Sequence, residues 1–438
     1  MSIPLKEYQQ RRQDLMNHMA GNGIAIVPAA HPILRNGDSE YRYRQSSDLY
    51  YLTGFNEAHA VLVLVPGRAQ GQCLLFCQEK DPLKELWNGR LLGPEAAVAA
   101  LGVDDAFPIS DIDDILPGLI EGRERVYYAM GKDESFDHRV MDWVKVVRKK
   151  VRSGVQPPGE FLVLDHLLHE LRLIKSKAEL DVMRESARIA VRAHRRAMQV
   201  CRPGMNEFEI EAEFMHEFFK AGCNAPAYTS IVAGGDNACI LHYNENNQAL
   251  KDGDLLLIDA GCEFQGYASD ITRTFPVSGR FSPEQKAIYE LVLKAQLAAI
   301  EEVRPGKHWN DPHDTTVRVL TAGLVELGLL QGAVDQLIDG GAYRDFYMHR
   351  TGHWLGLDVH DVGDYKIDGK WRQLEPGMVM TVEPGLYIAP NNDKVEPRWR
   401  GIGVRIEDDV AVTRSGYEVL TAGLPKTVAE IEDCMAGR

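Results

Sequence analysis

The sequence predicts two domains, an α/β domain over residues 1–172 followed by an α+β domain over residues 173–438. Three observations carry that prediction. The chain has 438 residues, more than a single hydrophobic core ordinarily serves. Strand-like and helix-like segments alternate through its first third. A helix-start signal near residue 176 then opens a stretch of amphipathic helices with strand-rich segments between and after them.

In the first domain, Leu5 to Met19 reads as an opening helix and Gly23 to Pro28 as a buried strand. Ala60 to Val65 and Cys73 to Cys77 are apolar runs of strand length, with a glycine-containing turn between them. Helical segments over Pro94 to Leu101, Asp111 to Ile120 and Phe136 to Val151 flank a further strand, Arg125 to Met130. In the second domain Ser176 and Glu179 have the S-x-x-E spacing of a capping box, which satisfies the free N–H groups of a first helical turn. Leu180, Met183, Ala187, Ala190, Val191 and Met198 then recur at helical spacing until Pro203-Gly204. A second helix runs from Asn206 to Ala221. A third starts at Ser282-Pro283, with proline at the first helical position, and ends at Pro305-Gly306.

Composition narrows the function. Apolar residues make up 45% and charged residues 26%, a globular balance. The net charge of −15 lacks the basic footprint that phosphate backbones demand, so no nucleic-acid partner is expected. No run approaches the ~18 apolar residues of a membrane span, and no signal peptide is read at the N-terminus. The seven cysteines are scattered, without a CxxC pair or a disulfide framework. The expectation is a soluble, cytoplasmic protein.

Four segments carry chemistry. Leu255 to Gly261 and Gly266 to Arg273 read as two strands of a hairpin. With the turn centred on Phe264-Gln265, Asp259 faces Asp270 directly, a like-charge pair that a dication would relieve. The alternative is a shifted turn in which one aspartate caps a loop. His349, His353 and His360 lie within one short segment. Gly352 and Gly356 argue against a helical zinc pair and for a loop that brings imidazoles in from different directions. Glu383 ends a strand, and Pro384 blocks further ladder pairing. Ile402, Val404 and Ile406 alternate with Gly403, Arg405 and Glu407, which puts Arg405 and Glu407 on one face. The bland reading of that last pair is an Arg–Glu ion pair beside an edge strand. Two aspartates, two glutamates and imidazole nitrogens at strand ends suit two hard or borderline divalent cations such as Mn²⁺. Such a pair of ions activates water for hydrolysis. From residues alone the reading is a dinuclear metallohydrolase of open substrate.

These motifs, in this order, resemble the creatinase/methionine aminopeptidase family of pita-bread metallopeptidases, and within it the proline-specific aminopeptidases. The resemblance rests on Asp38-Ser39-Glu40-Tyr41, Leu52-Thr53-Gly54-Phe55 and Ile240-Leu241-His242-Tyr243. It continues through Asp259-Ala260-Gly261, Asp270-Ile271-Thr272-Arg273, the His353 to Asp361 segment, Glu383-Pro384-Gly385 and Arg405-Ile406-Glu407-Asp408. It covers nearly the whole chain and implies a pita-bread catalytic domain over residues 173–438. By resemblance the metal ligands are Asp259, Asp270, His353, Glu383 and Glu407, with Asp270 and Glu407 bridging two ions. The ions would be Mn, with Co or Zn as alternatives. Glu383 would shuttle a proton to the leaving proline nitrogen, and His360 would bond the scissile carbonyl oxygen. His242 would act in catalysis beside them. His349, Tyr387 and Arg405 would line the proline subsite, and Asp38, Trp87 and Arg152 would contact substrate from the first domain. Arg350 departs from the small residue that many relatives carry beside His349. The implied reaction releases the N-terminal residue of peptides with proline second, by a homo-oligomer (dimer or tetramer). The rival reading is a prolidase, a dipeptidase with the same five ligands. A metal-free binding module is disfavoured because all five ligand positions are intact.

Overall fold

In the computed structural model, which describes residues 2–19 and 21–437, the chain divides at Arg172/Leu173 into two units. Within the first, the strands Asp105–Pro108, Cys73–Cys77, Val61–Leu64, Gly23–Pro28, Arg125–Tyr127 and Glu160–Leu162 lie side by side in that order. Gly23–Pro28 pairs antiparallel with Val61–Leu64 and parallel with Arg125–Tyr127, making the sheet mixed. Val61–Leu64 and Cys73–Cys77 are buried at every residue, as strands covered on both faces must be. Ile24, Val63, Phe76, Leu116, Val140 and Trp143 share one core beneath the helices Ile112–Ile120 and Glu134–Lys149. The helix Ser47–Thr53 escapes sequence reading because seven residues are too few to establish a period. The helix Pro82–Asn88 escapes it because it is equally short, although Leu83, Leu86 and Trp87 recur at helical spacing on its exposed side.

The second unit opens with the helix Lys177–Val200, whose capping box of Ser176 and Glu179 is present in full. Its buried face carries Val182, Met183, Ala187, Ala190 and His194, while Leu180 is only half-buried. His194 is fully buried, and its Nε2 bonds the Ala260 carbonyl at 2.9 Å. The helix Glu207–Lys220 follows. The third expected helix, Pro283–Ile300, ends in turns ahead of Pro305. The unread helix Asp311–Glu326 packs closely on it: a Cβ on Gly323 would stand 2.1 Å from Leu291 Cδ1.

The hairpin register differs from the expected one. Leu255–Asp259 pairs with Thr272–Pro276 so that Asp259 opposes Thr272, and Phe264 opposes Tyr267. The turn therefore centres on Gln265-Gly266, where φ is +50° and +82°. Positive φ at both central residues gives the turn whose twist matches the strands, and Gly266 takes one of those positions without strain. Moving the turn by one residue moves the register by two, so Asp259 and Asp270 become diagonal neighbours and stay on one face. Leu255–Asp259 also pairs with Ile231–Gly234. A separate sheet holds Val379–Val382, Asp408–Thr413 and Gly416–Val419, and Gly385–Ile388 pairs with Ile402–Arg405.

Candidate metal centre

Each expected ligand in the second unit stands at the end of a strand or in a loop beside one. Asp259 is the last residue of Leu255–Asp259, and Asp270 lies in the link just before Thr272. Glu383 follows Val379–Val382, and Glu407 sits between Ile402–Arg405 and Asp408–Thr413. His353 is held on an extended segment. Its carbonyl accepts from the Thr381 N–H at 3.0 Å, and its own N–H donates to Thr381 Oγ1 at 3.1 Å. A Cβ on Gly352 would stand 2.0 Å from the Thr381 carbonyl oxygen, so only glycine lets this segment lie against the strand.

The side chains converge. Ligand atoms of Asp270, His353 and Glu407 lie within 4.8 Å of one another. His353 Nε2 is 3.3 Å from Asp270 Oδ2 and 3.8 Å from Glu383 Oε1. The other ring nitrogen, Nδ1, bonds the Trp354 carbonyl at 3.0 Å, which aims Nε2 into the cluster. Arg405 donates to Asp259 Oδ2 at 2.6 Å and to Tyr387 Oη at 3.0 Å. The Arg405 ion pair is thus with Asp259, and the bland reading of an Arg405–Glu407 pair gives way. The reason is that Glu407 lies beyond the strand end, where it accepts from Thr272 Oγ1 at 2.6 Å.

Two further side chains shape the cluster. Tyr228 Oη reaches both Asp259 Oδ1, at 2.6 Å, and Asp270 Oδ1, at 2.5 Å. The Asp409 carboxylate accepts from the Asp270 backbone N–H at 3.2 Å and is itself buried. Neither residue shows a motif-level signal, because their partners lie far away in sequence.

The electrostatics fit divalent cations. Burial and the neighbouring Asp259 push the Asp270 carboxyl up, and burial with Asp270 pushes Glu407 well up. Burial raises Glu383 to about 7 against the pull of His353. Burial alone would lower His353, but its bond to Asp270 wins and raises it to about 9. Carboxyls raised by burial and by one another are groups that a divalent cation, taking the place of their protons, would stabilise as carboxylates.

The cavity at this cluster has a volume of about 480 Å³ and is lined by residues of the second unit. They include His242, His349, Arg350, His360, Glu383, Arg405 and Glu407. His360 is exposed, and its ring centroid lies 4.3 Å from that of His353. Burial and His353 lower its pKa. His349 is lowered to about 4 by burial and by Arg405, and its Nε2 bonds Tyr387 Oη at 2.9 Å. Tyr387 itself is buried behind His349 and supports that wall from within. Asp38, Trp87 and Arg152 are exposed residues of the first unit; Asp38 lies in the tight turn after Leu34–Asn36 and Trp87 on the helix Pro82–Asn88.

Residues 181–414 match metallopeptidase family M24, and residues 8–127 match the aminopeptidase P N-terminal domain. The chain is 47% identical to the Xaa-Pro aminopeptidase of Escherichia coli over 99% of its own length and 98% of that protein's. It is 46% identical to the Xaa-Pro aminopeptidase of Haemophilus influenzae, with the same two coverages. Among solved structures, aminopeptidase PepP of Pseudomonas aeruginosa superposes with a TM-score of 0.98 at 64% identity, covering 99% of this chain and 98% of that one. A zinc-substituted E. coli aminopeptidase P in complex with product superposes at 0.97 with 46% identity, covering 100% and 99%. No helix among the described residues is long and apolar enough to cross a membrane.

Proposed function

We propose, from the premise that this chain belongs to metallopeptidase family M24 and carries an aminopeptidase P N-terminal domain, that it removes the N-terminal residue from peptides with proline in second place. The observation that supports this most directly is the cavity itself. It joins a carboxylate-rich metal centre to a wall of His349 backed by Tyr387, a flat surface suited to a ring that has no N–H to offer.

Asp259, Asp270, His353, Glu383 and Glu407 would hold two divalent ions, Mn²⁺ by preference and Co²⁺ or Zn²⁺ as alternatives. Such ions supply a polarised carbonyl and a water nucleophile at neutral pH. The protein's own residues do the rest. Tyr228 and Arg405 orient the two carboxylate oxygens of Asp259 that they bond. His360, exposed in the cavity, donates to the scissile carbonyl oxygen as negative charge develops there. The Glu383 carboxyl, on the cavity wall 3.8 Å from His353 Nε2, would carry a proton to the departing proline nitrogen. His242 lines the same cavity and serves as a further proton-transfer group, and His349 packs on the proline ring. Asp38, Trp87 and Arg152 are assigned to substrate contact by family resemblance. The same resemblance supports a homo-oligomer, dimer or tetramer, in the cytoplasm.

The test is cleavage of Ala-Pro-Ala and Ala-Pro by Mn²⁺-reconstituted and metal-stripped protein, with released alanine read by mass spectrometry. Metal-dependent cleavage of the tripeptide is expected. Cleavage of the dipeptide alone would make the protein a prolidase, and cleavage of neither would overturn the reading.

A further inference from the structure

Two arginines line the metal-site cavity, and they are used differently. Arg405 is buried and fully engaged by Asp259, Thr272 and Tyr387. Arg350 is exposed, donates to the Asn310 side-chain oxygen, and lies over the Trp371 ring at 5.0 Å. Among the described residues it forms no ion pair. Lys366 Nζ lies over the same Trp371 ring at 4.2 Å, so two cations flank one indole. The chain as a whole carries a net charge of −15. Arg350, a cation without an ion pair among the described residues, therefore lines a cavity rich in carboxylates and is held there by an amide and an aromatic face.

We propose that Arg350 is a specificity-determining residue that receives a carboxylate carried by the residue after the substrate proline. The inference rests on the exopeptidase reading above, which places the proline ring against His349. Arg350 is the next residue in sequence, lines the same cavity and is more exposed, so it meets substrate one step further from the metal centre. A guanidinium presents a planar fork of donors that matches a carboxylate, and the Asn310 and Trp371 contacts pre-orient it, so little side-chain entropy is lost on binding. The chemistry fits two sources, the C-terminal carboxylate of a tripeptide and an acidic side chain at the third position of a longer peptide. Substrates of either kind are favoured over neutral ones.

The experiment uses the Mn²⁺-reconstituted full chain with Ala-Pro-Ala, Ala-Pro-Ala-amide and Ala-Pro-Asp-amide. It compares wild type with Arg350→Met, which keeps an apolar stem and removes the charge. The expected result is a kcat/KM roughly tenfold higher for a carboxylate-bearing peptide than for the neutral amide, the size of one charge-assisted contact. That preference should sit in KM, weaken with added salt, and collapse towards unity in the variant. A preference confined to Ala-Pro-Ala identifies the C-terminal carboxylate as the source, and one that extends to Ala-Pro-Asp-amide identifies the acidic side chain. Equal wild-type rates on all three peptides, or a preference that survives in Arg350→Met, would overturn the assignment while leaving the exopeptidase reading intact. Cleavage of none of them would overturn both.

Discussion

Lys175 and Asp361 form an ion pair of 2.8 Å in which each side chain is 1% exposed. The pair spans 186 positions and ties the start of the second unit to the segment that carries His353 and His360. A Cβ on Gly356 would stand 2.1 Å from Asp361 Oδ2, so the backbone closes over the carboxylate as well.

Removing one partner should therefore cost more than the pair itself contributes. Asp361→Ala leaves a buried ammonium without its anion, and the expected loss is about 3–5 kcal/mol. Urea unfolding reads it as a lower midpoint at unchanged slope. The double variant Lys175→Met with Asp361→Leu should recover most of that loss, since apolar side chains need no counter-charge. A wild-type midpoint for Asp361→Ala would show that the pair supports nothing.

The candidate metal centre predicts a pH dependence for the metal-free protein. Glu383 sits at about 7 when folded, above the 4.5 of a free glutamate, so the folded state holds a proton that the unfolded chain has released. Stability from this group falls as pH rises from about 4.5 to 7. His353 sits at about 9, above the ordinary 6.5; its contribution is complete below 6.5 and is lost as pH rises to 9. Both signs agree, so the melting temperature of stripped protein should fall steadily between pH 6 and 9. Saturating Mn²⁺ at pH 8 should restore it, because ions then stand where protons stood. A flat profile in stripped protein, or no Mn²⁺ shift, would contradict the assignment of these residues as ligands.

The centre was legible in the sequence to the extent that its residues sit beside structural punctuation. Asp259 ends an apolar strand, Glu383 precedes Pro384, and His353 follows Gly352, and each such neighbour marks a strand end or loop where side chains can converge. The hairpin register was not legible, because Phe264-Gln265 and Gln265-Gly266 both read as turns and only the φ angles choose between them. Tyr228 was hidden for another reason. It bonds carboxylates 31 and 42 positions away, and a lone tyrosine ahead of a strand carries no period or spacing that points to them. Arg405 likewise reads as the neighbour of Glu407 until the fold brings Asp259 to it from 146 positions away.

Trp87 offers a test of the substrate contacts expected from the first unit. Trp87 is 79% exposed on a helix that buries no residue, so Trp87→Ala should change stability by no more than about 0.5 kcal/mol. If Trp87 touches the peptide, KM for Ala-Pro-Ala should rise severalfold while the melting temperature holds. An unchanged KM would remove Trp87 from the substrate site.

Gly352 and Gly118 should respond in opposite directions to the same substitution. Gly118 is exposed within the helix Ile112–Ile120 and has open space around its missing Cβ. Gly118→Ala should stabilise by about 0.4–1 kcal/mol, chiefly by restricting the unfolded chain. Gly352 has no such space, since its Cβ would lie 2.0 Å from the Thr381 carbonyl oxygen. Gly352→Ala must push the segment away from the strand Val379–Val382, which stretches both hydrogen bonds that hold His353 against Thr381, one to its backbone N–H and one to its side-chain Oγ1. The expected cost is about 1–3 kcal/mol, with metal binding weakened about 10- to 100-fold because an outer contact of a ligand is lost. Calorimetric Mn²⁺ titration of the variant separates the two effects: unaltered affinity in a destabilised protein would mean that His353 is positioned by something other than this strand.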